Sequence, residues 1–280
     1  MKLRLWHAPD GTRVAYREAG AGPALVLLHS HLLTHREWEP AVEHLTHRFR
    51  LVLPDLPLHG DSEDRPRHPY TLPWYAEVMS GFCEETAGPR PLVGGHGMGA
   101  EVLLYAATAG RLRPARLVLT PTRLHRPSGG QQRRRRAWRM VARAGALPGL
   151  DRAVTHAARA TFPPAWGQQL SARGNPAAHD LVRHAFADVG GNANLARAWA
   201  RHARRWPAGG QAELLDRYAA LTCPVLLLWA DADPGHPVAL AEEALARLPD
   251  GHLRVLRGAG YLLAYDDPVG LARELIAFCG

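Results

Sequence analysis

Four short apolar runs constrain this chain more than anything else in it: residues 24–29 (ALVLLH), 50–55 (RLVLPD), 91–95 (PLVGG) and 115–120 (ARLVLT). None alternates polar with apolar, as a strand wetted on one face would. The first three are each followed by a segment with helical spacing, over 38–48, 72–86 and 98–110. Continuous apolar strands separated by helices predict a parallel sheet covered on both faces. Ahead of them, residues 2–7 and 12–18 alternate in polarity across Asp10-Gly11, which predicts an antiparallel hairpin closed by a two-residue turn.

The rhythm stops after Thr120. From 123 to 217 the chain is rich in Ala and Arg and biased to helix, broken at Pro148-Gly149, Pro163-Pro164, Asn175-Pro176 and Gly190-Gly191. This reads as a helical cap inserted into a core formed by residues 1–122 and 218–280. The run Arg133 to Arg136 reads better as a solvated helix face than as an anion site. The α/β order then resumes with a strand over 224–230, a helix over 238–248, a strand over 252–256 and a helix over 268–278.

Composition excludes several classes of function. With 280 residues the chain is long enough to build a core without disulfides. Its three cysteines, Cys83, Cys223 and Cys279, form no C-x-x-C pair, so neither a disulfide framework nor a metal site is predicted, and a reducing, cytoplasmic setting follows. The charge of +8 rests almost wholly on arginine, Lys2 being the one lysine, and no nucleic-acid-binding motif accompanies it. The beginning of the chain has no apolar signal core, and no run approaches eighteen apolar residues, so neither export nor a membrane partner is expected.

The motifs at the strand ends are more specific. The third strand runs into Leu28-His29-Ser30-His31, the fourth into Asp55-Leu56-Pro57-Leu58-His59-Gly60-Asp61-Ser62, and the fifth into Gly95-His96-Gly97-Met98-Gly99. The last two strands end in Asp231-Ala232-Asp233-Pro234-Gly235-His236-Pro237 and Gly258-Ala259-Gly260-Tyr261. In this order they resemble the α/β-hydrolase superfamily of the cap-domain type. That resemblance implies an α/β fold with a mostly parallel twisted sheet of about eight strands flanked by helices. The fourth-strand loop looks like D-x-x-G-x-G-x-S with Leu58 in place of its first glycine.

Two departures bear on function. The resemblance implies a serine at the G-x-S-x-G elbow, where this chain has Gly97, and a histidine after the last strand, where it has Tyr261. A phenol, with its usual pKa of about 10, is a poor base at neutral pH but a good hydrogen-bond donor. Asp233 matches the triad acid, with no imidazole at 261 to orient. What remains is a turn whose helix directs amides, Met98 first, at an oxyanion or carbonyl. Ser30 sits in the oxyanion loop with no evident base beside it. His31 is expected to face the elbow and move a proton, with Tyr261 as its alternative, and His236 follows Asp233 by three residues. His96 lies next to the vertex, where local packing competes with a role in binding.

Superfamily members without the Ser/His pair imply non-hydrolytic chemistry: proton transfer, cyclisation or carbon–carbon bond formation, some of it in natural-product biosynthesis. The expectation is a cofactor-independent, metal-independent enzyme for a carbonyl-bearing, aromatic or polyketide-like small molecule. The tryptophans of the insertion, Trp138, Trp166, Trp199 and Trp206, suit either a ring-lined pocket or ordinary core. A small-molecule-binding pseudoenzyme and a hydrolase using a non-standard nucleophile or direct attack of water stay open, as does a homodimer.

Overall fold

The computed structural model describes residues 1–65, 67–122, 140, 170–188, 193–205 and 217–280. The Arg133–Arg136 run, Trp138, Trp166 and Trp206 lie outside them, with much of the expected cap. Eight strands form one sheet: β1 (Lys2–His7), β2 (Arg13–Ala19), β3 (Ala24–Leu28), β4 (Arg50–Pro54), β5 (Leu92–Gly95), β6 (Arg116–Leu119), β7 (Val225–Ala230) and β8 (Gly251–Leu256), in the order β1-β2-β4-β3-β5-β6-β7-β8. β2 pairs antiparallel with β1 and β4, and every other pairing is parallel. β1 and β2 are joined by a loop over residues 8–12 rather than a two-residue turn. Asp10 accepts the Thr12 N–H at 2.8 Å and Gly11 takes φ +79°, so the side chain closes a wider turn.

The continuous apolar runs are explained by two cores, one on each face. Val26, Leu28, Val52, Val93, Leu117 and Leu227 point towards α2 (Leu72–Ala87) and α3 (Met98–Thr108). Their neighbours Leu25, Leu27, Leu51, Leu53, Val118 and Leu226 pack with α1 (Glu39–Leu45), which follows a 3-10 turn at His35–Trp38. Strand alternation thus sends odd and even residues into different apolar layers. Within the expected cap, between β6 and β7, the described segments include α4 (Pro176–Asp188) and α5 (Ala193–Arg205); α6 (Val238–Leu245), a short α7 (Leu263–Asp266) and α8 (Pro268–Cys279) follow β7 and β8.

The chain runs from β3 outwards to β4 on one side and returns to β5 on the other. The carboxyl ends of β3 and β5 are therefore the point where strand order reverses, and a crevice opens there in open α/β sheets. Ser30 and Gly97 stand on the two loops that leave these ends.

Asp55 fixes the neighbouring loop. Its buried carboxylate accepts the His35 N–H and His35 Nδ1 at 2.8 Å each and the Asp61 N–H at 3.1 Å. Leu58, on the glycine position of the loop motif, keeps the left-handed backbone with φ +78°. Burial alone would raise the Asp55 pKa, but the hydrogen bonds and charge of His35 hold it below the ordinary carboxylate value. Its ionised form then stabilises the fold fully above the unfolded value of about pH 4, and that contribution fades as pH falls through the lower folded value. In Asp55→Asn an amide NH2 faces the Asp61 N–H, donor against donor. Urea titration at pH 7 should show a loss of about 1–3 kcal/mol, and the gap to the parent should narrow at pH 3.

Candidate active site

Gly97 forms the vertex between β5 and α3 at φ +48° and ψ −111°. Around it the chain is closely held: His96 N–H donates to the Leu28 carbonyl at 2.9 Å, and Gly97 N–H to that of Pro121 at 3.1 Å. The Met98 N–H, first in its helix, has no acceptor among the described backbone bonds, as helix geometry leaves it. A Cβ placed on Gly97 would overlap both the Tyr261 hydroxyl oxygen and Ser30 Oγ, and would lie 3.1 Å from Ser30 Cβ.

Those two hydroxyls are hydrogen-bonded to each other across 231 positions of sequence. They fill the space that a side chain at the vertex would take. Between them they carry two hydrogens, of which their mutual bond uses one.

Each hydroxyl is held from behind. The Ser30 N–H donates to Glu37 Oε2 at 2.6 Å, and Glu37 Oε1 pairs with His96 Nδ1, so one buried carboxylate from the 3-10 turn ties the β3 loop to the elbow. His96 Nε2 is buried without a partner among the described residues, and its ring centroid lies 4.1 Å from that of Tyr261. Beside Tyr261 stands the His236 ring, near-parallel at 23° and 5.2 Å. Asp233 Oδ2 bonds His236 Nδ1 at 2.8 Å, while its other oxygen accepts the Gly235 N–H at 2.8 Å. Burial works to raise the Asp233 carboxyl, but the hydrogen bond and charge of His236 carry it below its ordinary value. A carboxylate on Nδ1 leaves Nε2 as the basic nitrogen, the same division of labour as in a triad.

The loop that carries Tyr261 is bolted to the cap. The buried Asp266 accepts the Gly260 N–H at 2.7 Å, the Ala172 N–H at 2.9 Å and the Ser171 hydroxyl at 2.5 Å, and the Leu262 N–H reaches the Leu170 carbonyl at 2.9 Å. Leu262 and Tyr265 pack with Leu181 and Val182 of α4.

Of the residues singled out in the sequence, Ser30, His96, Gly97, Tyr261, His236 and Asp233 come together, with Met98 next in the chain. The described contacts of the His31 ring run to His202 and Trp199 of α5 and to His59, and none of them is to the elbow; Leu32, next in the loop, takes φ +68°. Ser30, expected to lack a base, has the Tyr261 phenol as its hydrogen-bond partner. Glu37 was missed, since an acid in a short turn leaves no periodic mark. The three cysteines are buried, and burial raises each thiol, that of Cys279 to about 12, which makes them poor nucleophiles. Among the described residues no three His, Cys, Asp or Glu side chains are grouped to hold a metal ion, and no helix is long and apolar enough to cross a membrane. A cavity of about 290 Å³ is lined by Leu32, Leu58, His59, Ala185 and Trp199 together with Arg13, Asp61 and Asp64, and by none of the residues that meet at the elbow.

Comparison with known proteins agrees with this architecture. The family model described as the alpha/beta hydrolase family matches residues 25–274. An uncharacterised protein of Mycobacterium tuberculosis is 29% identical over 271 residues, 92% of this chain and 75% of the relative. A pimeloyl-[acyl-carrier protein] methyl ester esterase of Aeromonas salmonicida is 41% identical over 67 residues, 24% of this chain and 26% of that protein. Among solved structures, a thermophilic esterase from Thermogutta terrifontis superposes with a TM-score of 0.76 at 22% identity, covering 100% of this chain and 98% of that one. The chain belongs to the alpha/beta hydrolase family.

The filled vertex makes a stability prediction. Gly97→Ser alone should cost about 1–3 kcal/mol from overpacking, because its Cβ meets the two hydroxyls. Adding Ser30→Gly should recover most of that loss. A double-mutant cycle by chemical denaturation reads the coupling, and additive effects would mean that the two positions do not share one space.

Proposed function

We propose that this protein is a non-hydrolytic member of its family: a cofactor-independent enzyme that moves a proton α to the carbonyl of an aromatic or polyketide-like small molecule, leading to cyclisation or carbon–carbon bond formation. The observation that carries this reading is the occupied vertex. Position 97 has no nucleophile, and the hydroxyls of Ser30 and Tyr261 stand where one would project.

The parts then take roles that balance. The substrate carbonyl oxygen meets the Met98 amide and the Ser30–Tyr261 pair, which stabilise the enolate as it forms. His236, oriented by Asp233, takes the α-proton at Nε2 and returns it at another carbon or to the leaving oxygen. His31, next to Ser30 on the loop after β3, is the alternative proton carrier.

A second reading is favoured by one specific feature. Ser30 Oγ occupies the nucleophile's place, so attack by Ser30 with Tyr261 as its hydroxyl partner would give an esterase, the activity that the Thermogutta and Aeromonas relatives are named for. The two readings part on the fate of a ketone, which has no acyl group to transfer. With 2-tetralone in D2O, proton NMR should show α-hydrogen exchange well above the buffer rate, lowered on the order of 10²-fold in Tyr261→Phe and in Asp233→Asn. Exchange no faster than in buffer would sink the proton-transfer reading.

A further inference from the structure

Of the histidines His29, His31, His59 and His202, the roles above use only His31, as an alternative proton carrier. His29 bonds inside the core: its Nε2 accepts the Leu56 N–H at 2.8 Å, so Nδ1 carries the hydrogen and donates to the Ser30 carbonyl at 2.7 Å. His59 Nδ1 donates to the Pro57 carbonyl at 3.0 Å. His202, on α5, reaches down from the cap with 1% of its surface exposed, and Trp199 on the same helix lays its ring edge-on against His31 and His59, at 5.4 and 4.9 Å.

The hydrogens along this chain can be assigned in order. A carbonyl only accepts, so the Tyr75 hydroxyl donates to the Pro57 carbonyl at 3.0 Å. Its oxygen is then the acceptor for His202 Nδ1 at 3.4 Å, which puts the His202 hydrogen on Nδ1. Burial holds His202 neutral by lowering its pKa to about 3, and burial likewise pushes His59 well below its ordinary value. A neutral His202 with its hydrogen on Nδ1 has a lone pair on Nε2. His31 Nε2, 3.1 Å away with its ring tilted only 20° from the His202 plane, must therefore be the donor.

We propose that His202 is a positioning residue of the active site: its buried imidazole, carried in by the cap, holds His31 and with it the loop that presents Ser30 to the elbow. Among the described residues His59, Tyr75 and Trp199 pack their uncharged rings against the pair, and low polarity around it strengthens the His31–His202 bond. Ser30 is neighbour to His31 in sequence and is fixed on its other side by Glu37, so the loop is held from the core and from the cap at once. For catalysis this rests on the proposed proton-transfer reading; the assignment of hydrogens does not.

The test separates the two. In the full chain labelled with 15N-histidine, long-range proton–nitrogen correlation should find His202 neutral at pH 5 with its hydrogen on Nδ1, the minority form in water, and a scalar coupling between Nε2 of His31 and Nε2 of His202. A His202 that carries its hydrogen on Nε2, or that titrates near 6.5, would overturn the proposal whatever the enzyme does. In the 2-tetralone exchange assay His202→Phe, which keeps the ring packing, should lower the maximal rate on the order of tenfold with KM unchanged, and His202→Gln, which restores an acceptor, should recover it. Equal rates in parent and His202→Phe would count against positioning. Absence of exchange in the parent would sink the proton-transfer reading and leave the nitrogen spectra to decide this one.

Discussion

The site is organised by a steric fact: the turn that joins β5 to α3 has room for one pair of oxygens, and these come from elsewhere in the chain. Gly97 supplies the sharp backbone and no atoms beyond it. Ser30, on a loop leaving the adjacent strand, and Tyr261, at the far end of the fold, meet in that space. Everything that places the two hydroxyls is then part of the site: Glu37 behind Ser30, the rings of His96 and His236 on Tyr261, and the Asp266 cluster that fastens the Tyr261 loop to the cap.

Positions 30 and 97 share one volume. A serine at both would overlap, and a glycine at both would leave a void beside the partly buried Tyr261. Asp233 orients His236 on its own loop, so the site holds an Asp–imidazole unit beside Tyr261.

Much of the architecture was legible in the sequence because the physics behind it is local. Continuous apolar strands require two covered faces, and the odd and even residues of β3 and β4 do enter separate cores. The Asp10-Gly11 turn was only half legible: glycine marked the bend, but the Asp10 side chain widened it. The site was legible as a list of residues and poorly as a set of contacts. The Ser30–Tyr261 bond spans 231 positions, and the His31–His202 bond spans 171, so no spacing rule could join either pair. The left-handed backbone of Leu32 was not legible either, since leucine rarely adopts it.

The central claim is that the vertex binds a carbonyl without attacking it. Its most direct measurement is incubation of the full chain with a fluorophosphonate ester, followed by intact-mass and peptide mass spectrometry. The account predicts an unmodified protein, because Ser30 is spent on Tyr261 and position 97 has no side chain. A stoichiometric phosphonyl adduct on Ser30 would contradict it and make this protein a hydrolase whose nucleophile has moved to the neighbouring loop.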